Sequence, residues 1–325
     1  MTKITYRDAL RIAMREEMLN DNCVVLMGED IGFYGGCFQV TKGLLEEFGQ
    51  DRVIDTPLSE SGFVGAAVGA ALLGLRPVVE LQFADFIAIS SSQLINSAAK
   101  MRYAHNGKAS IPMVIRLPFG AGRTAGMHHS QSPEAWCLNV PGLKIVMPTS
   151  PYDAKGMLKT AIRDPNPILF FENKLLYGTK GEVPDGEYLV PFGKAKICRT
   201  GTDVTVVALG LMVRESLKAA ERLASENIQV EVVDIRSLRP LDISTIIESV
   251  MKTSRLVIVH EAPRFGGVGA EIAAQVNEEA FGYLDLPIVR VAAPETPVPM
   301  SPVLENAYVP NADQIINAIK GMALQ

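Results

Sequence analysis

Val24-Val25-Leu26-Met27 runs without polar interruption into Gly28-Glu29-Asp30, and that junction sets how the rest of the chain is read. A short, β-branched, wholly apolar run is the pattern of a strand covered on both faces. Polar residues directly after it mark the strand's carboxyl end. Runs of the same kind recur at 78–83, 113–117, 144–147 and 168–171, with Val53-Ile54 between the first two. Helical patterns fill the gaps. Thr5-Tyr6-Arg7-Asp8 resembles a capping box ahead of apolar Ala9, Ile12, Ala13 and Leu19, and further helices are expected over 42–48, 61–75, 86–103 and 153–162. Strands alternating with helices predict a doubly wound parallel sheet.

The alternation restarts after residue 193. Strands are expected at 204–209, 230–235, 256–259 and 288–291, with helices over 212–225, 243–252, 268–281 and 312–322. Between the two halves lies a polar, aperiodic stretch punctuated by Gly178, Gly181, Pro184, Gly186 and Pro191. The expected organisation is therefore two doubly wound α/β domains, 1–175 and 193–325, joined by a linker over 176–192. At 325 residues the chain is long enough for both.

Composition narrows the function classes. There are 31 Lys and Arg against 36 Asp and Glu, a net charge of −5, and no dense basic run to follow a phosphate backbone, so nucleic acid is not an expected partner. The longest apolar stretch, 62–75, is half Gly and Ala and too short for a membrane span. Met1-Thr2-Lys3-Ile4-Thr5 lacks the apolar core of a secretion signal, which points to the cytoplasm, or to an organelle after loss of a transit peptide. The four cysteines, Cys23, Cys37, Cys137 and Cys198, form no CxxC pair, so neither a zinc site nor a disulfide framework is suggested.

Ligands of open parallel sheets bind beyond the strands' carboxyl ends. Those positions hold Glu29 and Asp30, then Asp55-Thr56-Pro57-Leu58-Ser59-Glu60, then Gln82, Phe83 and Phe86. A long loop from Pro118 to Ser132 adds His128 and His129. Each has a structural alternative. Glu60 opens a helix, where any carboxylate favours the dipole, and Gly62, Gly65 and Gly69 suit close helix packing. Adjacent histidines diverge and no third ligand follows at a metal-binding spacing, so a single loop histidine donating a proton or capping the backbone fits better. His260-Glu261 precedes Gly266-Gly267-Val268-Gly269 at a helix start, which would suit an anion or simply make a turn. The glycines at 120–126 are one residue too long for GxGxxG, and no P-loop pattern exists, so dinucleotide and P-loop chemistry are disfavoured.

Taken together, several of these motifs resemble one family. They are Gly28-Glu29-Asp30, Asp55-Thr56-Pro57-Leu58-Ser59-Glu60, Gly74-Leu75-Arg76-Pro77, Gln82-Phe83-Ala84-Asp85-Phe86, His129-Ser130-Gln131-Ser132, Pro141-Gly142-Leu143-Lys144 and Asp153-Ala154-Lys155-Gly156. The chain is similar, nearly end to end, to beta subunits of the thiamine-diphosphate-dependent first component of 2-oxo acid dehydrogenase complexes. The resemblance implies a transketolase-like pyrimidine-binding domain followed by a transketolase C-terminal-like domain, paired with an alpha subunit as an α2β2 heterotetramer. It implies that Glu60 hydrogen-bonds the aminopyrimidine ring nitrogen of thiamine diphosphate and so promotes deprotonation of the thiazolium carbon, which then attacks a 2-oxo acid. Carbon dioxide leaves, and the acyl group passes to a lipoyl arm of the acyltransferase core. By the same resemblance Phe86 stacks on the pyrimidine, Gln82 and Glu29 line that end of the pocket, and His129 meets the substrate or lipoyl group. Potassium, held in some members, would fall to Met113, Ala161, Asp164 and Asn166. The family's GDG magnesium segment is absent from this chain, which assigns magnesium and the diphosphate to the alpha subunit.

Substrate cues diverge. Gln82–Phe86 and His260-Glu261-Ala262-Pro263 resemble branched-chain members, whereas Thr296-Pro297-Val298-Pro299 and Ser301-Pro302-Val303-Leu304-Glu305 resemble acetoin or pyruvate members. Pyruvate is the favoured substrate, with branched-chain 2-oxo acids and acetoin as alternatives. In a different class stands a non-catalytic subunit that only scaffolds its partners.

Overall fold

Thr5 begins the fold by capping the first helix, its hydroxyl accepting from the Asp8 amide at 3.1 Å. The computed structural model describes residues 1–323, which divide into two units: Met1–Phe119 with Trp136–Phe192, and Gly120–Ala135 with everything from Gly193.

The first unit runs β1 (Thr2–Thr5), α1 (Tyr6–Asn20), β2 (Val24–Gly28), α2 (Leu44–Phe48), β3 (Val53–Asp55), α3 (Glu60–Leu72), β4 (Arg76–Glu80), α4 (Ala99–Ala104), β5 (Val114–Phe119), β6 (Lys144–Val146), α5 (Pro151–Arg163), β7 (Ile168–Asn173) and β8 (Lys180–Val183). Six of its strands pair in parallel in the order β6-β7-β5-β4-β2-β3. Non-consecutive neighbours require crossovers, and the helices supply them. Val24, Leu26, Val79, Ile115, Leu117, Leu169 and Phe171 are buried, as expected of strands covered on both faces. Residues 176–192, the expected linker, group with this unit. They include β8, antiparallel to β1, and the buried Val190.

One expected helix takes another form. Residues 86–103 are not one α-helix but a 3₁₀ turn at Ala84–Ala88, a π-helical turn at Ser92–Ala98, and only then α4. Ser90 and Ser91 donate their hydroxyls to the carbonyls of Ile87 and Ala88, three residues back, which competes with the regular ladder. The glycines of α3 also differ from the packing expectation. Its buried side is Phe63, Val64, Ala67, Val68 and Ala71; Gly62 and Gly69 are exposed, and only Gly65 closely approaches a neighbouring segment, at Gln93.

The second unit holds β9 (Lys196–Arg199), β10 (Val204–Ala208), α6 (Leu211–Ala224), β11 (Val230–Asp234), β12 (Ser237–Arg239), α7 (Ile243–Thr253), β13 (Leu256–Pro263), α8 (Val268–Ala280), β14 (Val289–Ala293), α9 (Pro302–Tyr308) and α10 (Ala312–Ala323). Its five-stranded sheet has the order β14-β13-β10-β11-β9, parallel except for β9. Val206, Val232 and Val257 pack with Met212, Leu223, Ile315 and Ile319 in its core. Each such fully buried side chain contributes roughly 1.5–3 kcal/mol over an exposed one. Among the described residues no helix is long and apolar enough to cross a membrane.

Candidate active site

Three neighbouring parallel strands end together in the first unit. Gly28 is level with Asp55 of β3 on one side and Glu80 of β4 on the other. The segments leaving those ends carry Glu29, Glu60 and Gln82, so the sheet gathers residues far apart in sequence at one edge. The Thr56 amide donates to the Gly28 carbonyl at 2.9 Å, and the Gly32 amide to Asp55 Oδ1 at 2.7 Å, tying the loops after β2 and β3 together. Glu60 is the first residue of α3 and is half-buried.

Glu29 is 2% exposed, and neither carboxylate oxygen makes a hydrogen bond of normal geometry, although the Ser59 amide lies near enough to lower its pKa. Burial, then the charges of Glu60 and Asp30, push Glu29 up to about 7. Gln82 Nε2 donates to Asp30 Oδ2 at 3.3 Å. Phe86 is half-buried and meets Phe83 edge-on at 5.9 Å; Phe83 also meets Phe38, and the Lys174 ammonium lies over its ring at 5.2 Å. Glu29, Glu60, Gln82 and Phe86 thus come from one edge of one unit. Neighbouring acids, one of them buried without a regular hydrogen bond, suit a nitrogen-rich heteroaromatic group that donates N–H bonds. They do not suit a phosphate.

His129 belongs to the second unit, on the loop Gly120–Ala135. Left-handed backbone at Gly120 (φ 98°), Gly122 (φ 93°), Thr124 (φ 55°) and Gly126 (φ 75°) curls that loop, and the Gly120 amide closes it by donating to the Gln131 carbonyl at 3.2 Å. His128 is exposed and His129 half-buried. Ala121 packs with Ala293, Val298 and Tyr308.

Oxygens of the residues matching a potassium site already have protein partners. The Ile168 amide donates to the Met113 carbonyl and the Asp164 amide to the Ala161 carbonyl, at 2.9 and 3.2 Å. Asp164 Oδ1 accepts from the Asn166 backbone and side-chain amides at 2.9 and 2.8 Å, while Oδ2 pairs with the Lys144 ammonium. The carboxylate charge that would attract a cation is balanced by Lys144. Among the described residues no three His, Cys, Asp or Glu side chains gather to hold a metal ion.

Gly266-Gly267-Val268-Gly269 serves packing. A Cβ on Gly267 would stand 2.5 Å from His260 Cε1, and one on Gly269 2.9 Å from Nε2, so these glycines make room for the buried imidazole. Burial pushes His260 down to about 4, leaving it neutral, with Nδ1 at 3.1 Å from the Ala262 carbonyl.

Sequence reasoning gave no carboxylate role to three buried acids of the second unit: Glu134, Glu261 and Glu305, 1%, 5% and 2% exposed. Glu261 had one signal, its place at a strand's carboxyl end. Glu134 had none, because its environment is assembled only in three dimensions. Burial, reinforced by Glu261, pushes Glu134 up to about 8, and its Oε2 has no hydrogen-bond partner. A raised carboxyl pKa has a definite sign. In the fold the group keeps its proton while the unfolded chain ionises, so its contribution is fully present below about pH 4 and is lost as pH rises toward 8. Glu134→Gln should therefore flatten the decline in stability between pH 5 and 8, by an amount on the order of a few kcal/mol. Thermal melts of both chains across that range check it, and parallel curves would refute it.

The chain matches the transketolase pyrimidine-binding domain over residues 2–180 and the transketolase C-terminal domain over residues 193–315. It is 47% identical over 325 residues to the 2-oxoisovalerate dehydrogenase subunit beta of Bacillus subtilis, covering 99% of each chain. It is 49% identical over 318 residues to the pyruvate dehydrogenase E1 component subunit beta of Rickettsia felis, covering 98% of each. The acetoin:2,6-dichlorophenolindophenol oxidoreductase subunit beta of Cupriavidus necator is 48% identical over 328 residues, with 98% of this chain and 97% of that one covered. In fold it resembles a solved structure described as a split gene transketolase, inactive beta4 tetramer, with a TM-score of 0.80, 24% identity, and 98% and 97% coverage.

Proposed function

The chain belongs to the transketolase-like family of 2-oxo acid dehydrogenase E1 beta subunits, and from that premise we propose that it completes a thiamine-diphosphate site with an alpha subunit and decarboxylates pyruvate. The observation that carries this reading is the pair Glu29 and Glu60 at adjoining strand ends, with Glu29 buried and unsatisfied. When bound, thiamine diphosphate supplies the electron sink that lets a 2-oxo acid lose carbon dioxide. This chain's residues do the rest at the pyrimidine end. Glu60 holds and moves a proton at a ring nitrogen. Glu29, with its pKa near 7, keeps a proton for part of the time and so limits like-charge repulsion against Glu60. Phe86 offers a ring face, and Gln82, steadied by Asp30, offers an amide. His129 is assigned to the substrate or lipoyl group, and the magnesium and diphosphate end to the alpha subunit in an α2β2 assembly that delivers acyl groups to a lipoyl-bearing core.

Co-expression with an alpha subunit and a panel of pyruvate, branched-chain 2-oxo acids and acetoin, read with an artificial electron acceptor, tests this reading. Turnover is expected only when both subunits are present, and to be fastest with pyruvate. Similarity does not decide among the substrates, since relatives named for all three stand at 47–49% identity. Turnover by this chain alone, or a stable pair without turnover, would overturn the reading. The isolated chain should bind thiamine diphosphate and magnesium weakly at best, because stacking and one hydrogen bond yield a few kcal/mol before the cost of immobilising the ligand. Micromolar binding in calorimetry would place the diphosphate site on this chain.

A further inference from the structure

We propose that Glu305, seconded by Glu261, is a positioning residue that fixes the loop carrying His129 by clamping its backbone amides. Both oxygens of the buried Glu305 carboxylate are used. Oε1 accepts from the Gly122 amide at 2.8 Å and Oε2 from the Thr124 amide at 2.9 Å. Glu261 Oε1 accepts from the Ala121 amide at 2.6 Å. The alternating left-handed residues of the loop turn these amides to one side, forming a concave nest of the kind that takes an anion. Protein carboxylates fill it.

The placement of the clamp suggests more than stability. Gly120 and Gln131 close the loop across its base, and Ser130, Pro133 and Glu134 bury its returning arm. His129 leaves just before that arm, with its amide 3.3 Å from the Gly126 carbonyl. The clamp at 121–124 and the burial at 130–134 therefore bracket the histidine. Met127 and His128 stay exposed between these two anchors. Hydrogen bonds that fix the flanking backbone also fix the direction in which a loop side chain leaves it. Charge-assisted bonds from amides to a buried carboxylate are among the stronger ones available. Glu305 touches no reacting group in this scheme and acts through His129. The proposal rests on the reading of His129 as the residue that meets the substrate or lipoyl group.

The test is a double-mutant cycle in the assembled α2β2 enzyme. Glu305→Gln keeps the size of the side chain but replaces one acceptor with an NH2 group facing an N–H. It should lower kcat roughly ten- to a hundredfold, the scale of a misplaced catalytic group, and leave the thiamine diphosphate requirement unchanged. His129→Ala should lower kcat at least as far. The double variant should fall no more than about twofold below His129→Ala alone, because a group acting through the histidine has nothing left to position. Multiplicative losses would overturn the proposal. A second readout does not depend on activity: in the full chain with labelled histidines, Glu305→Gln should shift or broaden the imidazole signals of His128 and His129 while His105 and His260 stay in place. Unchanged His129 signals would overturn the proposal. If His129→Ala leaves turnover intact, the reading of the histidine fails, and the clamp is judged by those signals alone. Should Glu305→Gln fail to fold, Glu261→Gln removes a single acceptor and carries the same kinetic cycle, with His105 alone as the reference signal.

Discussion

Replacing Glu60 by Gln in the assembled enzyme should cut decarboxylation at least a hundredfold while subunit assembly survives. The amide keeps a hydrogen-bonding end of the same length but can neither hold nor release a proton at neutral pH. Glu60 opens α3, where its negative charge also favours the helix dipole, so the substitution costs up to about 1 kcal/mol of stability. That cost is too small to unfold the chain. A purely structural Glu60 would give the reverse pattern, a slightly lower melting temperature with normal turnover. A second consequence follows from the neighbouring acid. Glu60 is one of the charges that hold Glu29 up near 7, so Glu29 should ionise at lower pH in the variant. Normal turnover by Glu60→Gln, assayed with an artificial electron acceptor, would remove Glu60 from the chemistry.

Much of the first unit was legible because parallel strands buried on both faces leave unbroken apolar runs. Val24–Gly28 and Ile168–Asn173 lie where those runs stand. The capping box at Thr5 was legible for a local reason, since its hydrogen bond spans three residues. Elements settled by competition or by distant pairing were not. The serines that break the expected 86–103 helix act through hydroxyl bonds that apolar periodicity does not register. The ribbon of β1 and β8 pairs Thr2 with Val183, a contact that neither short segment announces.

The site divides along the same line. Glu29, Glu60 and Gln82 stood out in the sequence because each follows a strand, and the strand order β4-β2-β3 brings the strand ends together. The clamp on the histidine loop was invisible because its partners stand 140 and 183 residues apart along the chain. Glycines at 120–126 read as flexibility when taken alone. With Glu261 and Glu305 placed, they read as a curled backbone that presents its amides to carboxylates.

Arg116→Met should be among the most destabilising single changes in the first unit, costing about 3–5 kcal/mol. Arg116 of β5 is level with Glu80 of β4, and both are buried. The guanidinium grips Glu172 through two bonds of 2.7 Å and pairs with Glu80, while the Tyr177 hydroxyl donates to Glu172 at 2.7 Å. One cation thus serves two buried carboxylates, and burial already pushes Glu80 above the usual carboxylate range despite Arg116. Methionine fills much of the arginine's volume but leaves both acids without a counter-charge. They must then take up protons or stay charged in a medium that solvates them poorly. Proton uptake gives the defect a pH signature: carboxyl pKa values raised in the fold make stability fall as pH rises, so the deficit should be small near pH 4 and largest above neutrality. Neutralising both partners as well, in Arg116→Met with Glu80→Gln and Glu172→Gln, should recover most of the loss. Melts of the two variants against the parent chain decide the matter. A single-variant loss under about 1 kcal/mol, or a triple variant no better than the single, would mean that charge pairing is not what holds this part of the sheet together.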